Sequence, residues 1–281
     1  MAFYLAWTGD YLVARSTLLD GLPFGHGFST RVTRSGAEVD LRVRKEDTSP
    51  GLAARSRYFG AVLPPGTHLA LPHQVHSDRV LVVRRGGDGV AYHLRGEPVG
   101  ALGYRVDADG VCAADPGLAV GVQTADCVPV LIADPVRGVC AAVHSGWRGT
   151  MAGIAAVAVR TLAEAFGSDP ADLRAAVGPS IQGCCYEVDG ELGRRFGEAF
   201  AGSVRGGKGE GSPCRLDLGH CIAAALEGAG VAACRIDRCR LCTRCDARYF
   251  HSYRRTGPSA GRMISFLFPV VEDQAAGPGL E

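Results

Sequence analysis

The sequence predicts a mixed α/β fold, on three observations. Strand-length apolar runs bounded by turn residues recur along the whole 281-residue chain. Segments with helical three-and-four spacing are interleaved with them in the C-terminal half. A composition of 47% hydrophobic and 21% charged residues is that of a soluble globule, and at this length a core can be buried without disulfides.

Residues 1–34 read as strands, FYLAW and YLVAR about the turn Thr8-Gly9-Asp10, then HGFSTRV. A helix over 49–61 opens on Ser49-Pro50. Strands are expected at Thr67–Leu71 and Arg79–Val83, and the Gly-rich stretch 84–108 reads as a long surface loop. The most apolar part, 110–145, holds expected strands at Leu118–Gln123, Val128–Ala133 and Gly138–His144. A helix follows over Thr150–Phe166, with Met151, Ile154, Ala155, Ala158, Leu162, Ala165 and Phe166 on one face and Gly167 as its stop. Strands at Arg174–Val177, Val231–Ile236 and Met263–Phe268, and helices over 189–201 and 217–229 about a polar loop at 202–213, complete the pattern. Residues 1–271 form one expected domain and 272–281 a loose tail.

Glycine, 39 residues, is about twice its usual share, which points to many tight turns. A net charge of +1 lacks the basic excess of a protein that neutralises phosphate backbones, so nucleic acid is not an expected partner. No run approaches a membrane span, and the N-terminus reads as no signal peptide; with eleven cysteines, an odd number, the expected setting is cytoplasmic with reduced thiols.

The chemistry concentrates in QTADCVPVLIADPVRGVCAAVHSGWRG, 123–149. A hairpin centred between Pro135 and Val136 pairs Leu131 with Cys140 and Cys127 with His144, making a thiol and an imidazole neighbours at its open end. A bulge at Pro129 would break that register. A buried thiol and a satisfied core histidine are the plainer alternative. His73 and His76 lie three apart, so on an extended linker only one joins the pair; His76 would complete a Cys-His-His set, the layout of catalytic zinc. Cys239, Cys242 and Cys245, with Cys234 fourth, are either a structural zinc site or free thiols, the latter preferred because the spacing is not that of paired knuckles. Arg254, Arg255 and Arg262 near a Gly-rich turn can hold an anion or form a solvated cluster.

Together HGFSTR (26–31), HQVHSDRV (73–80), DADG (107–110), TADCVPVL (124–131), VHSGWRG (143–149), GPSIQGCCYEV (178–188), DRC (237–239) and FHSYRR…GRM (250–263) resemble the YfiH/laccase-domain, or multi-copper polyphenol oxidase-like, family of purine nucleoside phosphorylases. The resemblance implies a single domain with two mixed β-sheets between helical layers. It implies a triad of His76, Cys127 and His144, zinc as the usual ion with copper proposed from the oxidase label, and phosphorolysis of adenosine and inosine with accompanying adenosine deaminase activity. Within that reading Arg148, helped by Arg254 or Arg255, takes phosphate, and Asp109 protonates or orients the leaving base. Ser77 stands where the family has Gly and Thr256 where it has Asp, and the segment after FSTR departs as well; these departures bear on substrate preference. Two rival readings are a metal-free cysteine hydrolase, with a Cys127/His144 dyad oriented by Asp126, and a non-enzymatic zinc-stabilised binding module built on Cys234–Cys245.

Overall fold

The computed structural model describes residues 2–43, 50–86, 89–100, 105–207 and 212–270; the expected tail at 272–281 lies outside them. Two mixed sheets dominate. The first runs Phe3–Thr8, Tyr11–Ser16, Phe24–Thr33, Met263–Pro269, Leu118–Thr124, His68–Ala70. The second runs Ile236–Arg238, Arg174–Val177, Val128–Asp134, Val139–Ser145, Gly110–Ala113, Val80–Gly86, Gly89–Leu94, Glu97–Gly100.

Side-chain alternation along each strand decides the layering. Leu131, Ala133, Cys140 and Ala142 of the second sheet meet Phe28, Val120, Val122 and Leu267 of the first in one buried cluster between the sheets. Val130, Ile132, Ala141 and Val143 point the other way, onto Ile154, Ala158 and Leu162 of the helix Ile154–Phe166 and Ile222 and Leu226 of the helix Leu218–Gly228. Ala119, Ile264, Phe266 and Phe268 cover the outer face of the first sheet with Tyr58 of the helix Pro50–Val62. The layers are therefore helix, sheet, sheet, helices. The strand Val128–Asp134 is buried along its whole length because it is covered on both faces.

Four expectations are corrected. The stretch 84–108 is not simply a loop: Val80–Gly86 pairs with Gly89–Leu94, which pairs with Glu97–Gly100. Gly86 and Gly89 pair at the end of one hairpin, and Arg95 (φ 52°) and Gly96 (φ 86°) form the two-residue turn of the next, of the primed kind. The helix expected over Thr150–Phe166 is two, Trp147–Met151 and Ile154–Phe166, broken at Gly153 (φ 77°). The strand expected at Val231–Ile236 lies at Ile236–Arg238 after a turn of 3₁₀-helix. The loop 202–213 contributes Val204–Gly206 to a small third sheet with Glu187–Val188 and Cys214–Leu216. Helices Gly190–Ala199 and Leu218–Gly228 begin at Asp189 and Asp217, whose carboxylates accept backbone N–H groups of the first turn.

Candidate metal centre

The central hairpin carries two members of the site. Its register pairs Pro129 with His144 and Leu131 with Ala142, two residues away from the expected pairing. The cause is the turn: the Asp134 carboxylate accepts the N–H groups of Val136 and Arg137, and Gly138 (φ 68°) closes a four-residue loop between Asp134 and Val139. A slip of two keeps each side chain on its face, so Cys127 and His144 still meet, diagonally.

His76 arrives from another direction. The segment Val75–Ser77 is not extended: His76 has φ 63° and wraps around the buried carboxylate of Asp109. Asp109 Oδ1 accepts the His76 N–H (2.9 Å) and pairs with His144 Nδ1 (2.8 Å); Oδ2 accepts the Val75 N–H (3.2 Å), the Ser77 N–H (2.6 Å) and the Ser77 hydroxyl (2.8 Å). One carboxylate thus holds the His76 turn and orients the His144 ring. His73, in the wall of the same cleft, pairs with Asp107 and stands outside the Cys-His-His cluster. The ligand atoms of His76, Cys127 and His144 all lie within 4.8 Å of one another, with the two imidazole rings 4.9 Å apart at 77°.

Electrostatics favour the charged pair at the hairpin end. Burial by itself would raise the Cys127 thiol, but the charge and hydrogen bond of His144, helped by His76, outweigh it and bring the thiol down to about 6. Burial would lower His144, yet the Cys127 thiolate and Asp109 together push it up to about 9. For Asp109, burial is overcome by His144 and Ser77, which hold the carboxyl at about 2. The residues suit a metal ion: a thiolate and two imidazole nitrogens are zinc ligands, and a carboxylate on the far nitrogen of a ligating histidine fixes the tautomer. Gly146 leaves the space for it, because a Cβ there would lie 2.9 Å from Cys127 Sγ and 3.0 Å from His76 Cδ2.

The triad lines a cleft of about 740 Å³ with Arg42, Trp147, Arg148, Tyr186, Arg254 and Arg262 among its other walls. A cleft of about 780 Å³ beside Arg84, His93 and Arg160 has no cysteine in its lining and only one histidine. Arg148 is exposed, with its guanidinium 4.2 Å from the Trp147 ring. Arg254 lies 5.1 Å from the Tyr186 ring and donates to Glu187 O.

Three expected roles change. Arg255 does not line the cleft: its guanidinium donates to the carbonyls of Thr243, Arg244 and Phe250 and ties that loop together. Asp109 is fully buried, does not line the cleft, and has both carboxylate oxygens taken up by Val75, His76, Ser77 and His144, so it braces the triad and does not face a leaving base. Asp126 does not orient His144; its carboxylate accepts the Thr243 hydroxyl and the Arg254 N–H. The cysteines regroup too. Cys242 and Cys245 meet Cys184 and Cys185, whereas Cys234 is exposed and Cys239 is buried apart. Arg42, Gln74, Trp147 and Tyr186 were not singled out as site residues, because nothing local distinguishes them; only the fold brings 42, 74, 147 and 186 to one cleft.

Residues 26–269 match the family model described as multi-copper polyphenol oxidoreductase laccase. The chain belongs to this family. A purine nucleoside phosphorylase of Deinococcus radiodurans is 33% identical over 249 residues, 86% of this chain and 88% of that protein. One from Streptomyces coelicolor is 47% identical over 166 residues, 58% of this chain; that match spans 64% of the relative, just under two thirds of its length. An adenosine deaminase, RL5, from an unknown prokaryotic organism is 33% identical over 205 residues, covering 71% of this chain and 74% of that protein. Among solved structures, the hypothetical protein YfiH of Bacillus licheniformis superposes with a TM-score of 0.78 at 28% identity, over 94% of this chain and 98% of the other. Among the described residues, no helix is long and apolar enough to cross a membrane.

Proposed function

We propose that the protein is a metal-dependent purine nucleoside phosphorylase, converting adenosine or inosine and phosphate to base and ribose 1-phosphate, with adenosine deaminase activity in the same cleft. The observation that carries this reading is the convergence of His76, Cys127 and His144 in a cleft walled by aromatic rings and guanidinium groups. The relatives named for phosphorolysis and deamination supply the reaction class.

His76, Cys127 and His144 would hold the ion. Zinc is favoured because one thiolate and two imidazoles form a three-ligand nitrogen and sulfur donor set of the kind that catalytic zinc uses. When bound, zinc supplies a Lewis acid that polarises oxygen and stabilises developing negative charge. Asp109 keeps the Nδ1 proton on His144, so that Nε2 is left as the ligand atom. Trp147 and Tyr186 offer flat faces to a purine. Arg148 presents a bidentate donor to phosphate, with Arg42 and Arg262 adding positive charge at the same cleft. In phosphorolysis a phosphate oxygen bonds to C1′ as the bond from C1′ to the base nitrogen breaks, and the base takes up a proton; deamination consumes water and releases ammonia.

The depressed Cys127 and raised His144 also describe a thiolate–imidazolium pair, the one observation favouring a metal-free cysteine hydrolase. Zinc-loaded and chelator-treated protein should be incubated with adenosine or inosine, with and without phosphate, and the products separated. Ribose 1-phosphate from zinc-loaded protein alone supports the proposal. Equal turnover after the metal has been stripped would refute metal dependence, and no nucleoside turnover at all would refute the substrate class.

A further inference from the structure

We infer that Cys184, Cys185, Cys242 and Cys245 form a second, structural zinc site, distinct from the triad. Their sulfur atoms lie within 4.8 Å of one another, with Cys184 to Cys245 at 3.7 Å and Cys185 to Cys245 at 3.2 Å. A tetrahedral ion with Zn–S bonds of about 2.3 Å needs sulfurs roughly 3.8 Å apart, so the quartet is close to the required size before any ion is added.

The two loops that bring the thiols together are preformed by backbone bonds. Cys185 and Tyr186 donate to Gln182 O, turning the chain so that adjacent cysteines face the same centre. Cys242 N–H donates to the Asp246 carboxylate, and Asp246 N–H to Cys242 O, closing the turn that spans the Cys-x-x-Cys pair. Ser180 and Cys242 bridge the loops, and Thr243 N–H donates to Ser180 O. The Gln182 N–H points at Cys242 Sγ (3.5 Å), the backbone donor that a ligating thiolate uses. Arg215 and Arg244 donate to the carbonyls of Cys184 and Cys185, so two cations stand beside a centre that four thiolates make negative overall. On binding, the thiols release their protons to solvent; no electron is exchanged.

The position gives the clip a purpose. One loop carries Ile181 and Tyr186, both in the wall of the catalytic cleft. The other carries Thr243, whose hydroxyl holds Asp126 beside Cys127. Joining the loops fixes that wall relative to the triad.

The test uses the full chain purified with zinc, its metal content measured per chain, and cobalt substitution as a second readout. Cys127→Ala, which damages only the triad, should retain a tightly bound ion. Its cobalt form should show a strong thiolate-to-cobalt charge-transfer band. Cys184→Ser/Cys245→Ser should lose a single ion relative to wild type and lack that band. If the double variant does not fold, the Cys127→Ala protein alone decides. A Cys127→Ala protein without bound zinc overturns the inference, as does a Cys185–Cys245 disulfide in the mass spectrum of the native protein.

Discussion

Replacing Asp109 by asparagine separates the work of its charge from that of its shape. The two carboxylate oxygens divide their donors unevenly: Oδ2 takes Val75 N–H, Ser77 N–H and the Ser77 hydroxyl, Oδ1 takes His76 N–H and His144 Nδ1. An asparagine amide best serves the three-donor side with its oxygen, which turns its NH₂ toward His76 N–H and His144. The His76 N–H then has no acceptor, and a buried donor left unsatisfied costs about 1–3 kcal/mol of stability. His144 can keep a bond only by accepting at Nδ1, which moves its proton to the nitrogen needed by the ion. Removing such a supporting carboxylate typically lowers metal affinity by about 10–100-fold, or roughly 1.4–2.7 kcal/mol. The assay is competition for zinc against a chromophoric chelator, with urea unfolding of the metal-free protein alongside. Lowered stability with unchanged zinc affinity would refute the tautomer argument and leave Asp109 a backbone clamp only.

Gly146→Ala places a methyl group 2.9 Å from Cys127 Sγ and 3.0 Å from His76 Cδ2. Accommodating it costs about 1–3 kcal/mol, and because the neighbours that must move are two of the proposed ligands, zinc affinity should fall while the fold persists; equal affinity means the triad relaxes freely. Arg148→Ala should lower phosphorolysis of adenosine far more than its deamination, since only the former uses phosphate, and an equal fall in adenine and inosine formation rules out the phosphate role. His26 accepts the Ser16 N–H while buried, and burial, then the Arg15 charge, push its imidazole from 6.5 down to about 4. The unfolded chain therefore binds this proton first, so stability is full above about pH 6.5 and declines as pH falls toward about 4, by roughly 3 kcal/mol in total. Urea unfolding across that range should show the decline in wild type and a flatter profile in His26→Gln; identical profiles would exclude His26 as its source.

What the sequence made legible was local or periodic. The continuous apolar runs Val128–Ala133 and Gly138–His144 about the turn at Asp134 located the central hairpin, and the two-residue register error was harmless because it preserved the face on which Cys127 and His144 meet. Errors arose where the deciding partner is remote. Asp109 stood out within its motif, but its role depends on donors at 75–77 and 144 that spacing does not reveal. The cysteines at 239, 242 and 245 invited grouping by proximity along the chain, whereas the actual set joins 242 and 245 to 184 and 185 across two loops. Arg255 looked like its neighbour Arg254 until the Thr243, Arg244 and Phe250 carbonyls claimed it.

The site also explains where the backbone is forced. Among the described residues, the non-glycine positions with positive φ are His76, Arg95 and Asp126; Arg95 belongs to a hairpin turn, and the other two are a triad residue and the residue before one. Such conformations cost of order 1–3 kcal/mol each and persist only where surrounding groups over-determine them. Both are held by a carboxylate. Asp109 gathers the N–H groups of 75–77, and Asp126 is caught by Thr243 Oγ1 at 2.6 Å, the Arg254 N–H at 2.6 Å and, through its own carbonyl, the Ile181 N–H at 2.9 Å. Hydrogen bonds to a charged group contribute about 1.5–3 kcal/mol apiece, so two or three of them outweigh the local strain. The strain is therefore supported from outside the triad, by bonds that hold the bends at His76 and Cys127 against His144 near the end of the strand Val139–Ser145.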